Sequence, residues 1–290
     1  MRGSDLRSKL KNALIFAKKL SVSSLPGDYT SAFKGSGLEF DQLREYTPGD
    51  DIRIIDWNAT AKMNKPMVKQ FVQERDRTVI FAIDTSKSGA FSSTGQSRWE
   101  LAQQVTMALG FVASKSKDRV GALFFSDKIE QWIPPARGNV HFGRVAKALF
   151  SKKPERGGTN LGEAFKFLVN LKLRNAILLV VSDWIDEVPR YEKFFKIASC
   201  EYDMIAVRLV DHTEQAMPAI GMLEVEDIET GERAIVDTTS GKLNSSLLGR
   251  LIEHRRLCGK LSVDHLSLSV GEPFVPPLVS FLRQRISRQV

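Results

Sequence analysis

A chain of 290 residues with 42% apolar and 26% charged residues can bury a substantial globular core. No apolar run reaches the roughly 18 residues of a membrane span, no signal-like apolar segment opens the chain, and Cys200 and Cys258 offer neither a disulfide framework nor metal-ligand spacing, so a cytoplasmic protein is expected. The net charge of +8 raises nucleic-acid binding, yet the basic groups (Lys9–Lys19, Arg250–Lys260, Arg283–Arg288) carry no interleaved aromatics, and an acidic protein partner suits the charge equally well.

Residues 1–20 repeat apolar positions at helical spacing (Leu6, Leu10, Ala13, Leu14, Ala17, Leu20) and predict an amphipathic helix packed on the body, the alternative being one that receives a partner. The first and last basic groups read as solvated faces of such helices. Residues 21–37, rich in Ser, Gly and Pro, read as a loop. Its Gly35-Ser36-Gly37 piece lacks the preceding strand and the third glycine of a dinucleotide fingerprint. Around the Pro48-Gly49 turn, Asp50, Asp51 and Asp56 lie beside Arg44 and Arg53. That pattern predicts a salt-bridged loop locking an N-terminal extension (residues 1–75) onto a main domain (residues 76–290); the alternative is a second interaction surface. Met67–Val72 alternates weakly and predicts a strand leading into the core.

Val79–Ile83 is almost wholly apolar, as a strand buried on both faces of a parallel sheet should be. It ends in Asp84, followed by Ser86, Ser88 and Gly89. A carboxylate and hydroxyls two residues apart are hard oxygens suited to a magnesium-type cation. A helix over Arg98–Ser114 leads to a strand at Val120–Phe125. A further strand follows at Ile129–Ile133, ended by Pro134-Pro135. Val140–Phe150 reads as a helix, Arg156–Asn160 as a glycine loop, and Leu161–Leu171 as a helix capped by Thr159 or Asn160. Ile177–Val181 is another apolar strand closed by a polar pair, Ser182-Asp183. A helix at Tyr191–Ser199 and a strand at Met204–Val210 follow. Strands alternating with helices predict an α/β fold with a doubly wound, mostly parallel sheet of the Rossmann type. In the last quarter, Leu223–Ile228 and Arg233–Val236 predict a small β-hairpin insertion near residues 221–240, turning through Glu229–Glu232. A helix (Leu247–Cys258), a strand (Val263–Val270) and a closing helix (Pro276–Ile286) complete the chain.

Asp84, Ser86 and Ser88, then Thr159, then Asp183 stand on separate strand-to-helix loops, which a parallel sheet gathers at one edge. In that order they resemble the metal-ion-dependent adhesion site of von Willebrand factor A-like domains, and the Gly157-Gly158-Thr159-Asn160 loop strengthens the likeness. Further residues resemble the bacterial domain-of-unknown-function 58 family, whose members carry such a domain. These are Glu39-Phe40, Arg44, Tyr46, Pro48 to Asp51, Arg53, Ile55-Asp56-Trp57, Val68-Lys69, Phe71, Glu74 and the Asp227–Glu232 hairpin. The resemblance implies a non-enzymatic module in which Ser86, Ser88 and Thr159 ligate Mg2+ (or Mn2+ or Ca2+), with Asp84 and Asp183 close by. A partner carboxylate would fill the open position. It also implies a MoxR-type AAA+ ATPase, or its client, as partner in chaperone-like complex maturation. Lys87 departs from the family's smaller residue, and pointing inward it would weaken cation binding. The alternative functions are a metal-dependent hydrolase or phosphatase and a basic nucleic-acid-binding protein. Against hydrolysis, His141, His212, His254 and His265 are scattered, each read as a surface or helix residue. No phosphate-binding Gly-x-x-x-x-Gly-Lys-Ser/Thr loop occurs, so ATP-driven work falls to a partner.

Overall fold

The computed structural model describes residues 13–15, 17, 25–33, 38–73, 77–92, 95–154, 157–173, 176–211, 221–226, 233–237 and 242–289. In chain order the elements are α1 (Leu25–Ala32), β1 (Leu38–Glu45), α2 (Trp57–Met63), β2 (Met67–Gln73), β3 (Thr78–Asp84) and α3 (Arg98–Lys115). Then come β4 (Arg119–Phe125), β5 (Ile129–Ala136), α4 (Asn139–Ser151), α5 (Leu161–Asn170), β6 (Ala176–Ser182), α6 (Val188–Glu201) and β7 (Tyr202–Val210). The chain closes with β8 (Met222–Glu226), β9 (Arg233–Asp237), α7 (Lys242–Lys260), β10 (Asp264–Ser269) and α8 (Val275–Gln289).

The predicted doubly wound sheet is present, with strand order β10-β7-β6-β3-β4-β5. All neighbours run parallel except the β4–β5 pair. Alternation along each strand feeds two cores. From β3, Val79, Phe81 and Ile83 enter the core under α3, α4 and α8, and Ile80 and Ala82 enter the other, under α5, α6 and α7. In β6, Ile177, Leu179 and Val181 face the first core, while Ala176, Leu178 and Val180 face the second. A strand that serves two cores must be apolar at every position, which is why these runs stand out in the sequence.

The order of the strands fixes where a ligand can enter. From β3 the chain moves out to β4 and β5, then returns to lay β6 on the other side of β3. The crevice between the carboxyl ends of β3 and β6 is therefore the topological switch point of the sheet. Asp84 ends one of these strands and Ser182 the other, with Ile83 and Val181 paired just before them.

Several expectations change in the structure. Most of the predicted N-terminal helix lies outside the described residues, although residues 13–15 and 17 are helical. Residues 25–32, expected as loop, form α1. Its sequence gives it little amphipathic signal, and its stability comes from docking: Tyr29, Ala32 and Phe33 are buried, and the Tyr29 hydroxyl donates to Asp118 at 3.0 Å. β5 runs on through Pro134-Pro135 instead of stopping there. Ala136 pairs with Val120 and Ile133 with Ala122, so both prolines oppose the single residue Gly121 in a bulge on an edge strand. A Cβ on Gly121 would lie 3.0 Å from the Pro135 nitrogen, so the glycine makes this approach possible. β2 pairs antiparallel with β1 in a separate two-stranded sheet and does not join the main one.

The salt-bridged loop is found: Arg44 grips Asp50 bidentately at 2.6 and 2.7 Å, Asp51 meets Arg53 at 3.2 Å, and Asp56 caps α2 and pairs with Lys69 at 3.4 Å. These links stay within residues 44–69, and Trp57 is 67% exposed, so the described contacts brace the loop internally. β8 and β9 form the expected antiparallel hairpin, whose turn lies outside the described residues. Arg285, read as part of a solvated helical face, is buried and bonds Asp203 and Asp264.

Candidate functional site

The loop after β3 is built by its own side chains. Asp84 Oδ1 accepts from the Ser86 backbone N–H at 2.9 Å, and the Ser86 and Ser88 hydroxyls lie 2.9 Å apart. The Lys87 N–H donates to the Gly157 carbonyl at 3.2 Å, tying this loop to the glycine loop before α5. Gly157 has φ +80° there, and a Cβ would fall 2.8 Å from Asp127 Oδ1, so no other residue fits as cheaply. The Asn160 N–H is held by the Ser126 carbonyl at 2.9 Å, and the Asn160 side chain caps α5. Together these contacts bring Thr159 to Asp84, its hydroxyl donating to Oδ2 at 3.2 Å.

β6 delivers the third part. The Ser182 hydroxyl donates to Asp84 Oδ2 at 2.7 Å. Asp183 Oδ1 accepts from the Ile185 N–H at 3.2 Å. Next to it, Trp184 takes a positive φ of 60°, rare for a bulky residue, and is fully buried. Its indole donates to the Val207 carbonyl at 3.2 Å and stacks on His254 with ring centroids 4.2 Å apart. His254 lies on a helix as expected, but it is buried and not on the surface; its ring meets the Tyr191 hydroxyl at 3.0 Å. Burial, before any neighbouring charge, pushes it down to about 3, so it is neutral scaffold behind the loop.

All five predicted residues thus meet at the switch point: Asp84, Ser86, Ser88 and Asp183 line one small cavity of about 10 Å3, and Thr159 joins them through Asp84. Such a volume holds about one water-sized occupant. Two lining residues were missed by the sequence reading. Ser182 was noted only as the polar end of a strand, and Arg98, the first residue of α3, carried no signal. Arg98 is 7% exposed and donates to the Ser88 carbonyl at 3.2 Å, with Nη1 3.6 Å from Asp183 Oδ2. Lys87, the expected intruder, does not line the cavity.

The electrostatics follow from this placement. Burial first, and the nearby Asp183 second, push the Asp84 carboxyl up to about 7 against the hydrogen bonds that favour its ionised form. Arg98 offsets charge at Asp183. Among the described residues no group of three or more His, Cys, Asp or Glu is placed to hold a metal ion. The donor set here is of another kind: two carboxylates and four hydroxyls, all hard oxygens, with a buried carboxylate whose charge a cation would relieve. Those residues fit a magnesium-type ion.

The chain is similar to known proteins along most of its length. Over 228 residues it is 24% identical to the uncharacterized protein Rv1480 of Mycobacterium tuberculosis, covering 78% of this chain and 72% of that one. Similar solved structures include BatB from Bacteroides thetaiotaomicron (16% identity, 73% and 97% of the two chains, TM-score 0.47). The von Willebrand A domain of SpRpn10 is another (15% identity, 72% and 94%, TM-score 0.42). An aerotolerance-related membrane protein from Bacteroides fragilis also matches (15% identity, 73% and 98%, TM-score 0.46), and on this finding the expectation of a cytoplasmic protein is withdrawn. That expectation leaned on the lack of an apolar span. Among the described residues no helix is long and apolar enough to cross a membrane, which does not fix a compartment. The fold, with its six-stranded and mostly parallel sheet flanked by helices, is von Willebrand A-like. A family model described as "Protein of unknown function DUF58" matches residues 42–255, more than half of the chain, and the chain belongs to that family.

Proposed function

We propose that this chain is a metal-dependent protein-interaction module that grips an acidic residue of a partner protein. The observation that supports it most is the meeting of Asp84, Ser86, Ser88, Thr159 and Asp183 at the switch point of the sheet. A bound Mg2+ (or Mn2+ or Ca2+) supplies positive charge with directional oxygen coordination. Asp84 and Asp183 provide the balancing negative charge, and neutral hydroxyls orient without cancelling what remains. Ser182 holds one oxygen of Asp84 in place. Arg98, close to Asp183, keeps the anionic pair tolerable when no ion is bound. The cavity lining includes no histidine, and its two carboxylates, Asp84 and Asp183, serve in this reading to balance the charge of the ion. From the family resemblance, the partner class to try first is a MoxR-type AAA+ ATPase or its client.

The test is capture from native lysate in Mg2+, in EDTA, and with Asp84→Ala or Ser86→Ala. The expected result is a partner held only by the unaltered protein in Mg2+, while both variants keep a native circular-dichroism spectrum. A partner retained under every condition sinks the metal-bridge reading. Electron paramagnetic resonance of added Mn2+ then checks the ion directly, with the bound signal lost on Asp84→Ala.

A further inference from the structure

The adhesion-type site holds a charge that its oxygen donors do not call for. The cavity lining carries two carboxylates, Asp84 and Asp183, and one cation, Arg98. An arginine side chain stays protonated at any working pH, so this charge is fixed. Local structure puts it there. Ser97 and Glu100 cap the start of α3 reciprocally: the Ser97 hydroxyl accepts from the Glu100 N–H and the Glu100 carboxylate from the Ser97 N–H, both at 3.1 Å. Arg98 is thereby the first residue of the helix, and Trp99 beside it anchors the turn in the core.

With that turn pinned, the buried Arg98 side chain lies against the cavity and donates to the Ser88 carbonyl at 3.2 Å. Its Nη1 stands 3.6 Å from Asp183 Oδ2, too far for a hydrogen bond, so charge links the two. Arg208 of β7 adds a second cation behind the same residue, its Nε donating to the Asp183 carbonyl at 3.3 Å. Counting charge gives the consequence. Two carboxylates cancel a divalent ion, and the hydroxyls of Ser86, Ser88 and Thr159 are neutral. A site of those groups alone would be neutral when loaded and would exert no net pull on an acidic partner. Arg98 leaves a positive charge over. Because that charge is buried, water and salt screen it little, and it also opposes the entry of a bare cation.

We propose that Arg98 is the specificity-determining residue of this site: its fixed charge weakens the hold on a bare divalent ion and leaves the loaded cavity with a positive excess that a partner carboxylate neutralises, so that ion and carboxylate bind cooperatively. The inference rests on the metal-dependent reading of the site and adds to it an order of preference. The ion alone is held loosely, the carboxylate alone has nothing to bridge it, and each raises the affinity for the other by the same factor.

The test is titration of the full chain with Mn2+, read by the paramagnetic resonance signal of the free ion, with and without acetate at matched ionic strength. Acetate is expected to tighten Mn2+ binding several-fold in the unaltered protein and in Arg98→Lys, which keeps the charge. Arg98→Gln is expected to bind Mn2+ about tenfold or more tightly without acetate and to gain little from adding it. Arg98→Met, of similar length and equally uncharged, should repeat that result and serves if the glutamine variant does not fold. A residue that only braced the Ser88 loop would give the opposite sign, with weaker Mn2+ binding once it is replaced. Weaker or unchanged Mn2+ binding in the folded neutral variants therefore overturns the proposal, as does an acetate effect that is the same with and without the arginine. Absence of Mn2+ binding in the unaltered protein and in every variant is a different outcome: it removes the metal-dependent reading itself, and this inference with it.

Discussion

Asp84 concentrates the electrostatics of the adhesion-type site in one carboxyl. Held up to about 7 in the fold by burial and by Asp183, it ionises near 3.8 where ordinarily solvated. A group raised on folding contributes stability below its unfolded value and loses it as the pH climbs through its folded one. In EDTA, the melting temperature is therefore expected to fall as pH rises from about 4 to 7, and Asp84→Asn is expected to flatten that slope. Mg2+ should restore stability to the unaltered protein at the upper end of the range and not to the variant. Identical profiles for the two proteins would contradict this assignment. Trp57 behaves otherwise. Trp57 is 67% exposed, so Trp57→Ala should shift urea unfolding by no more than about 0.5 kcal/mol, although the residue carries part of the family resemblance. Asp84, Ser86, Ser88 and Asp183 stood out in the sequence because their loops follow apolar strands, whereas Thr159, expected on a strand-to-helix loop, lies between α4 and α5 and was marked only by its glycine loop. Ser182 and Arg98 could not, since their part depends on which neighbour the folded loop turns toward.

At the scale of elements, the packing of α5 on α6 shows how little slack the layer over the sheet has. A Cβ on Gly162 would sit 2.7 Å from the Arg190 carbonyl oxygen, which belongs to backbone and cannot swing aside. Gly162→Ala should cost about 1–3 kcal/mol in denaturant unfolding, despite the better helix propensity of alanine. An unchanged unfolding midpoint would mean that the two helices can separate freely. Elements that serve two cores, such as β3 and β6, were plain in the sequence because nothing polar survives in them. α1 was hidden because Pro26 and Gly27 read as a turn, and its helix depends on Tyr29 and Phe33 finding the body. The extent of β5 was hidden for a different reason: prolines end central strands, but an edge strand with a bulge accepts them.

Across the whole molecule, Arg285 joins parts far apart in the chain. It bonds Asp203 on β7 and Asp264 on β10, and its Nε donates to the Ala32 carbonyl of α1 at 3.0 Å. Nearby, Arg283 of α8 meets Asp28 of α1 at 3.3 Å. Removing one member of a buried pair costs roughly 3–5 kcal/mol, reduced here because Asp203 is half-exposed; Arg285→Ala is expected to lose about 2–3 kcal/mol. Faster amide exchange confined to α1 and α8 would locate that loss, and uniform exchange would not fit it. The bulged prolines of β5 bear on how copies of the chain meet one another. Pro134 and Pro135 offer no N–H on a margin of the sheet where an unpaired strand would otherwise recruit another, so that flank is closed to growth by strand addition. In a crowded cell the sheet is guarded on this side against ordered aggregation.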